Sequence, residues 1–149
     1  MKREDWLLLF LDLPLTDDGR VRVVDPLRIQ KGLFYFAQEA GMGLPSESLY
    51  GFEPYLYGPC SFDIYHDLDS LVDKGLVQRF QIEGQNWPYY GLTHGGREVT
   101  KGLRDTAEAR LLEALTEIRT RVMSLSFLDL LRKVYREHGS YAVNSIIKP

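Results

Sequence analysis

The segment from Ser61 to Thr93 constrains the fold most, because its apolar pattern changes there from helical to extended. Apolar residues first recur at helical spacing, at Ile64, Leu68, Leu71 and Val72. Gly75 is a typical end for such a helix. The runs LVQRFQI and PYYGLT that follow are β-prone, and the polar tip EGQNW between them predicts a hairpin. A helix that leads directly into a hairpin predicts an α+β fold.

Two helices are predicted before this segment. Asp25 is a favoured N-cap, and Pro26 suits the first helical position, where a backbone N–H would have no partner. A helix is therefore predicted from Pro26 to Ala40, with Gly41 at its end. The apolar stretch from Glu4 to Leu11 predicts a short helix that must be buried.

The carboxyl-terminal part is predicted to be helical, with Gly95-Gly96 separating it from the hairpin. Asp105 and Glu108 have the spacing of a capping box before one helix. A last helix is predicted to end at Gly139, with an apolar stripe at Leu128, Leu131, Val134 and Tyr135. We therefore expect one domain over residues 1–149, with a winged-helix-like core at 25–93 and a helical extension at 94–149.

Composition excludes several classes of protein. The 149 residues are 44% hydrophobic and 26% charged, as in ordinary globular domains. The net charge of −3 argues against binding nucleic acid or anionic membranes by bulk charge. Residues 1–93 hold 8 Lys/Arg and 14 Asp/Glu, a balance of −6, whereas residues 94–149 hold 10 and 7, a balance of +3. The predicted winged part is thus acidic and the tail mildly basic.

Cys60 is the single cysteine, so no internal disulfide can form, and a cytoplasmic location is expected. We expect it to be a small packed residue rather than a reactive thiol. The amino-terminal apolar run is broken by Asp12 and Pro14, so a signal peptide is not expected there. The run is also too short to span a bilayer, so no membrane association is expected.

The helix that begins after Ser61 is acidic where a DNA reader needs positive charge. Its predicted exposed side chains are Asp63, His66, Asp67, Asp69, Ser70, Asp73 and Lys74. Affinity for DNA comes largely from Lys and Arg at phosphates, so four carboxylates on one helix oppose insertion into a groove. The aspartates either solvate the outer face of a core helix or dock on a basic patch of another protein.

The proposed contact surface joins this helix to the tip of the hairpin. On the helix it comprises Asp63, His66, Asp67, Ser70 and Asp73. At the tip it comprises Gln85, Asn86 and Trp87, where Trp87 has few ways to be buried in its own domain and would act as an apolar anchor. A protein partner with a basic surface is therefore expected.

Two sequence blocks carry a resemblance to a known family. LRIQKGLFYFAQEAG followed by YGPCSFDIYHDLDSLVDKGLV resembles the Panacea antitoxin-type domains and related small prokaryotic proteins. It is also similar to the carboxyl-terminal domain of antitoxins paired with DNA ADP-ribosyltransferases. Gly32 and Cys60 depart from the family pattern. The block YGLTHGGRE resembles the wing-closing segment of bacterial winged-helix regulators. The resemblance implies a domain that neutralises or senses another protein, with no catalytic residues to carry over.

A non-enzymatic, regulatory protein-binding module is the function expected from these observations. The alternative is a winged-helix DNA-binding regulator that uses Arg132, Lys133 and Arg136 on the last helix, residues that could also meet a second copy in a homodimer. An enzyme with an unrecognised site is the third hypothesis. No metal site is expected, because His66, His94 and His138 fall in three different predicted elements, and no cofactor motif is present.

Overall fold

Helix α2, Pro26–Ala40, lies at the centre of the protein, which a computed structural model describes over residues 1–147. Every residue from Ile29 to Phe36 is buried, so the helix contacts other elements on all of its sides. Asp25 caps it by accepting a hydrogen bond from the Arg28 N–H at 3.1 Å. The predicted bounds of this helix are confirmed.

Two small antiparallel sheets flank the next helix. The elements follow in the order β1 (Glu53–Tyr55), β2 (Gly58–Cys60), α3 (Phe62–Asp73), β3 (Val77–Phe80) and β4 (Tyr89–Leu92). Strand β1 pairs with β2, and β3 pairs with β4, with Val77 opposite Leu92. The predicted helix and hairpin are confirmed, and Gly75 adopts the left-handed conformation after α3. Short 3-10 turns lie at Ser46–Ser48 and Gly139–Ala142.

Helix α4, His94–Thr106, corrects the prediction that Gly95-Gly96 separates the hairpin from the helices. Both glycines lie in its first turn, where the Thr93 hydroxyl accepts a hydrogen bond from the Gly96 N–H at 3.0 Å. A Cβ at Gly96 would stand 2.1 Å from the Leu76 carbonyl oxygen. The missing side chain allows close approach of helix and strand, and it does not mark a break.

Two details of the carboxyl-terminal helices were also predicted wrongly. Asp105 lies within α4, and Glu108 precedes α5 (Ala109–Ser124) without capping it through its side chain. In α6 (Phe127–Glu137) the buried residues are Leu130, Leu131 and Val134, whereas Leu128 is 44% exposed. The buried face of α6 is therefore set by its packing, and Leu128 lies outside it.

Helix α1, Arg3–Phe10, is buried from Trp6 onward, as its apolar sequence predicts. Arg119 of α5 binds the end of α1 and the segment after it, because its Nη1 donates to the carbonyl oxygens of Leu9 and Asp12, both at 3.1 Å. The amino-terminal helix is thus fixed to the carboxyl-terminal half. Within residues 1–147, no helix has the length and apolarity needed to cross a membrane.

Residues 1–147 contain six α-helices and two antiparallel hairpins, which confirms the α+β class. Residues of α1, α2, α3, α5 and α6 belong to one apolar core. The finer assignment of a winged-helix core remains a prediction.

Candidate functional site

The acidic face of α3, formed by Asp63, Asp67, Asp69 and Asp73, is bound largely within the chain. Arg3 of α1 donates from Nε to one oxygen of Asp67 at 3.0 Å and from Nη2 to the other at 3.3 Å. Its Nη1 donates to Asp63 at 3.0 Å. One guanidinium therefore bridges two carboxylates that would otherwise repel each other one helical turn apart.

Asp67 has a second partner in the chain. The Tyr50 hydroxyl donates to its carboxylate at 2.7 Å, and the Asp67 side chain is only 16% exposed. Burial, together with this hydrogen bond, raises the pKa of Tyr50 above its ordinary value. The prediction that Asp67 is exposed is therefore wrong, because the carboxylate connects α1 and Tyr50 to α3. Its role in binding a partner stays a prediction.

The other predicted residues of α3 remain nearer the surface. Asp69 pairs with Arg79 of β3, and the side chains of both are exposed. His66 and Asp73 are exposed, and Ser70 is half-buried. Asp73 makes no ion pair within residues 1–147. Half of the acidic face is thus committed to Arg3, and Asp73 alone combines exposure with freedom from an internal ion pair.

The wing tip is exposed as predicted. Gln85 and Asn86 lie in the turn between β3 and β4, and Trp87 is 42% exposed. The Trp87 side chain also has contacts within the protein. This side chain and Pro88 form one wall of a cavity of about 400 Å³.

This aromatic cavity lies between α2, α3, the β1–β2 hairpin and the wing tip, and α6 closes one side. It is lined by Pro26, Leu27, Gln30, Lys31, Tyr55, Tyr57, Cys60, Phe62, Tyr65, Trp87, Pro88, Tyr90 and Phe127. Tyr55 meets Phe62 edge-to-face with ring centroids 5.0 Å apart. Tyr57 meets Phe127 in the same manner at 5.9 Å. These pairs give the cavity a built apolar wall.

Gly58 fixes the backbone at the edge of this wall. Its φ of 87° is left-handed, and a Cβ there would lie 2.8 Å from the Tyr135 ring of α6. Both the conformation and the close contact require glycine. The Tyr-Gly-Pro block of the sequence therefore lets the β1–β2 hairpin lie against α6.

Two polar side chains of α2 join the sequence blocks that carry the family resemblance. Gln30 donates to the Ser61 carbonyl at 2.9 Å and accepts from the Ser61 N–H at 2.8 Å. Lys31 donates from Nζ to the Pro59 carbonyl at 2.9 Å. The helix block and the Tyr-Gly-Pro block thus meet at the cavity, where Gln30 satisfies the backbone before α3.

Lys31 is an unusual residue for such a position. It is 2% exposed, and no ion pair within residues 1–147 involves it. Burial lowers its pKa from 10.5 to about 8. Buried lysines normally have a charged partner, so an ammonium bonded to one carbonyl in a cavity marks a candidate functional site.

Cys60 lines the same cavity and is buried, so its prediction as a packed residue is confirmed. Burial raises the pKa of its thiol despite the nearby Lys31. The thiol is therefore neutral at pH 7 and supplies no negative charge to the lysine.

The basic residues of α6 have local partners. Arg132 pairs with Asp129 at 3.1 Å, and Lys133 pairs with Glu137 at 2.9 Å. Arg136 is exposed. The three residues share a helix, but two of their charges are already balanced by neighbours.

The histidines do not converge. His66 lies in α3, His94 begins α4, and His138 follows α6. Within residues 1–147, no cluster of three histidine, cysteine or acidic side chains has a geometry suited to a metal ion.

Lys31 and its cavity are what the sequence patterns missed. The available signal was the composition of α2, since LRIQKGLFYFA has hardly any polar face and such a helix is buried all round. A lysine in that stretch must then be buried with it.

Comparison with known proteins adds no assignment to this geometry. No family model matches the chain, and no curated protein matches it, so the resemblance to Panacea-type domains remains a prediction.

Proposed function

We propose that the protein is a non-enzymatic regulatory module that binds another protein, with antitoxin-like neutralisation as the activity that the family resemblance suggests. The observation that carries the proposal is the gathering of exposed aromatic side chains at one cavity, namely Tyr55, Tyr57, Phe62, Tyr65 and Trp87. Exposed apolar side chains are ordinary when scattered, whereas a contiguous patch marks an interaction site. Tyrosine and tryptophan are also the residues that dominate interface energies.

Charge has a smaller part in this interface than the sequence suggests. Asp67 is withdrawn into the structure, and Arg3 offsets part of the charge of Asp63. Asp73 is exposed and takes part in no ion pair of residues 1–147, so it favours a partner with a basic patch. We therefore expect the five exposed aromatic side chains around the cavity, the aromatic rim, to supply most of the binding energy. The remaining exposed charge would mainly raise the rate of association with the partner.

Reading DNA through α3 receives less support. Helix α1 reaches the outer face of α3 through Arg3, and Lys74 lies 3.9 Å from Glu4 of the same helix. A major groove would have to accept that additional element together with the aspartates. Of the basic residues predicted to contact phosphates, Arg132 and Lys133 are engaged in local ion pairs, and Arg136 is the exposed one without such a pair in residues 1–147.

The proposal is tested by a pull-down of the tagged protein from its native cells, with and without nuclease. The wild type should retain a stoichiometric protein after nuclease treatment, and Trp87→Ala should lose it. Leu128→Ala is the matched control, because Leu128 has nearly the same exposure but lies outside the cavity. Asp73→Lys should weaken capture without unfolding the domain.

Two results would contradict the proposal. One is recovery of DNA fragments without a protein partner, which favours the DNA-binding regulator. The other is equal loss of the partner in Leu128→Ala, which would place the interface elsewhere. Sedimentation of the purified chain detects the case in which the partner is a second copy.

A further inference from the structure

The aromatic cavity contains a feature that docking of a protein at its rim does not explain. Its walls are aromatic, and its lining includes the buried cation Lys31. An ammonium group has three donors, and the structure assigns one of them, to the Pro59 carbonyl. Lys31 therefore has donor capacity to offer a ligand that reaches it.

No anionic group of the described chain balances this cation. Lys31 takes part in none of the ion pairs of residues 1–147, and the titratable group that influences its pKa is the Cys60 thiol, which burial keeps neutral. Burial also raises the pKa of Tyr65 to about 12, so the phenol of that wall carries no charge at pH 7. A negative group entering the cavity meets a buried positive charge, and no carboxylate side chain of residues 1–147 lines the cavity.

We propose that the aromatic cavity binds a small organic acid whose aromatic or branched aliphatic body lies against Tyr55, Phe62 and Trp87 and whose carboxylate pairs with Lys31. A volume of about 400 Å³ is in the range of small-molecule sites, which are mostly apolar with a few placed polar groups. A charge-assisted hydrogen bond in an apolar site is stronger than a neutral one, so the carboxylate would decide selectivity.

The inference goes beyond docking of a protein partner and does not depend on it. The two proposals share the aromatic side chains Tyr55, Phe62 and Trp87, and the pairing of a carboxylate with Lys31 is what distinguishes the small-acid site. The test uses the purified full chain alone, so failure of one proposal leaves the other standing.

The first measurement is an NMR titration of the wild type at pH 7 with 3-phenylpropionate and with its neutral amide, 3-phenylpropionamide. The two probes share an aromatic body and differ in charge. The carboxylate should bind about tenfold more tightly. Shifted resonances should include those of Trp87 and Phe62.

Variants then separate the cation from the wall. Lys31→Met should abolish the preference for the carboxylate, whereas Lys101→Met, at an exposed lysine of α4, should leave it unchanged. Phe62→Ala keeps Lys31 and should weaken both probes by a similar factor with the preference intact. Because Phe62 is exposed, Phe62→Ala should fold. This variant therefore still tests the contribution of the aromatic wall if Lys31→Met fails to fold.

Several outcomes would overturn the proposal. They are equal affinity of the wild type for acid and amide, absence of binding to either, and an undiminished preference in folded Lys31→Met. A further arm uses an acetylated tetrapeptide that ends in phenylalanine, with a free or an amidated carboxyl terminus. Binding of the free-acid peptide without binding of 3-phenylpropionate would also refute a small-acid site, and would assign the cavity to the end of a partner's chain.

Discussion

The acidic face of α3 and the aromatic cavity each contain a charged side chain with little exposure, Asp67 and Lys31. The two side chains differ in how far other groups of the chain compensate their charge. Asp67 accepts hydrogen bonds from Arg3 and from Tyr50, so its carboxylate is satisfied inside the protein. Lys31 is buried more deeply and holds one backbone carbonyl. Asp67, which the acidic pattern of α3 brings to attention, thus stabilises the fold. Lys31, which no sequence pattern singled out, lacks a counter-charge within residues 1–147.

This difference shows how to weigh a charged residue as a site candidate. A carboxylate with partners on two other elements contributes to stability and loses that contribution if it is redirected to a ligand. A buried cation without a counter-charge costs stability and is therefore better explained by a ligand that supplies the charge.

The largest effect is expected at Lys31, through the pH dependence of stability. Its pKa is lowered by burial from 10.5 to about 8, so between these values the unfolded chain binds a proton that the folded chain has released. The free energy of unfolding should therefore rise with pH in this window. Relative to Lys31→Met, the wild type should gain roughly 2 to 3 kcal/mol between pH 7 and pH 10.

Urea unfolding of both proteins at each pH measures this gain. Lys31→Met serves as the reference because tyrosines and other lysines titrate in the same range and cancel in the difference. If the difference in the free energy of unfolding between the two proteins stays constant from pH 7 to pH 10, Lys31 is solvated. Lys31 would then not differ from Asp67 in the way described above.

The second prediction concerns the satisfied charge. Asp67→Ala removes the acceptor of Arg3 and Tyr50 and leaves a half-buried guanidinium and a buried hydroxyl without it. We expect a loss of about 2 kcal/mol in the free energy of unfolding. Asp73→Ala, on the same helix but exposed, is the control and should change stability by less than about 0.5 kcal/mol. Equal effects of the two changes in urea titrations would mean that Asp67 is a surface charge after all.

A third prediction isolates one bond of that cluster. Tyr50→Phe removes only the hydroxyl that donates to Asp67 at 2.7 Å, and Arg3 still binds the carboxylate. The expected loss is about 1 kcal/mol. In the Asp67→Ala background the same change should cost much less, because the partners are coupled. Additive losses in this double-mutant cycle would contradict the proposed cluster.

The sequence predicted those parts of the fold that local chemistry determines. Helix α2 begins at an Asp-Pro pair and ends at Gly41, and both signals act within one turn of the helix. The β3–β4 hairpin follows from two β-prone runs and a polar tip. The predicted break at Gly95-Gly96 was wrong because Thr93 caps α4 at this point and Gly96 allows close contact with Leu76.

The site depended on contacts between distant residues. Asp67 was expected to be exposed because nothing in its own helix reveals Arg3, which lies 64 residues earlier in the chain. The exposure of Trp87 was predicted correctly from its place at a hairpin tip, but the cavity beside it needs α2, α3 and α6 together. Periodicity describes one element at a time, so it could not show that these elements enclose a lysine.

The smallest effect on stability is expected at Trp87, where the effect on binding should be large. Trp87→Ala removes a ring that is 42% exposed at the end of a hairpin, and the free energy of unfolding should fall by about 0.5 kcal/mol. Leu128→Ala should cost a similar amount, which is why the two make a matched pair in thermal unfolding and in pull-down. If Trp87→Ala instead destabilises the protein as much as Asp67→Ala does, the aromatic rim contributes to stability as Asp67 does, and its exposure does not mark a binding surface. A stable Trp87→Ala variant that has lost its partner would show that the aromatic rim, like Lys31 in the proposal above, interacts with a molecule outside the chain.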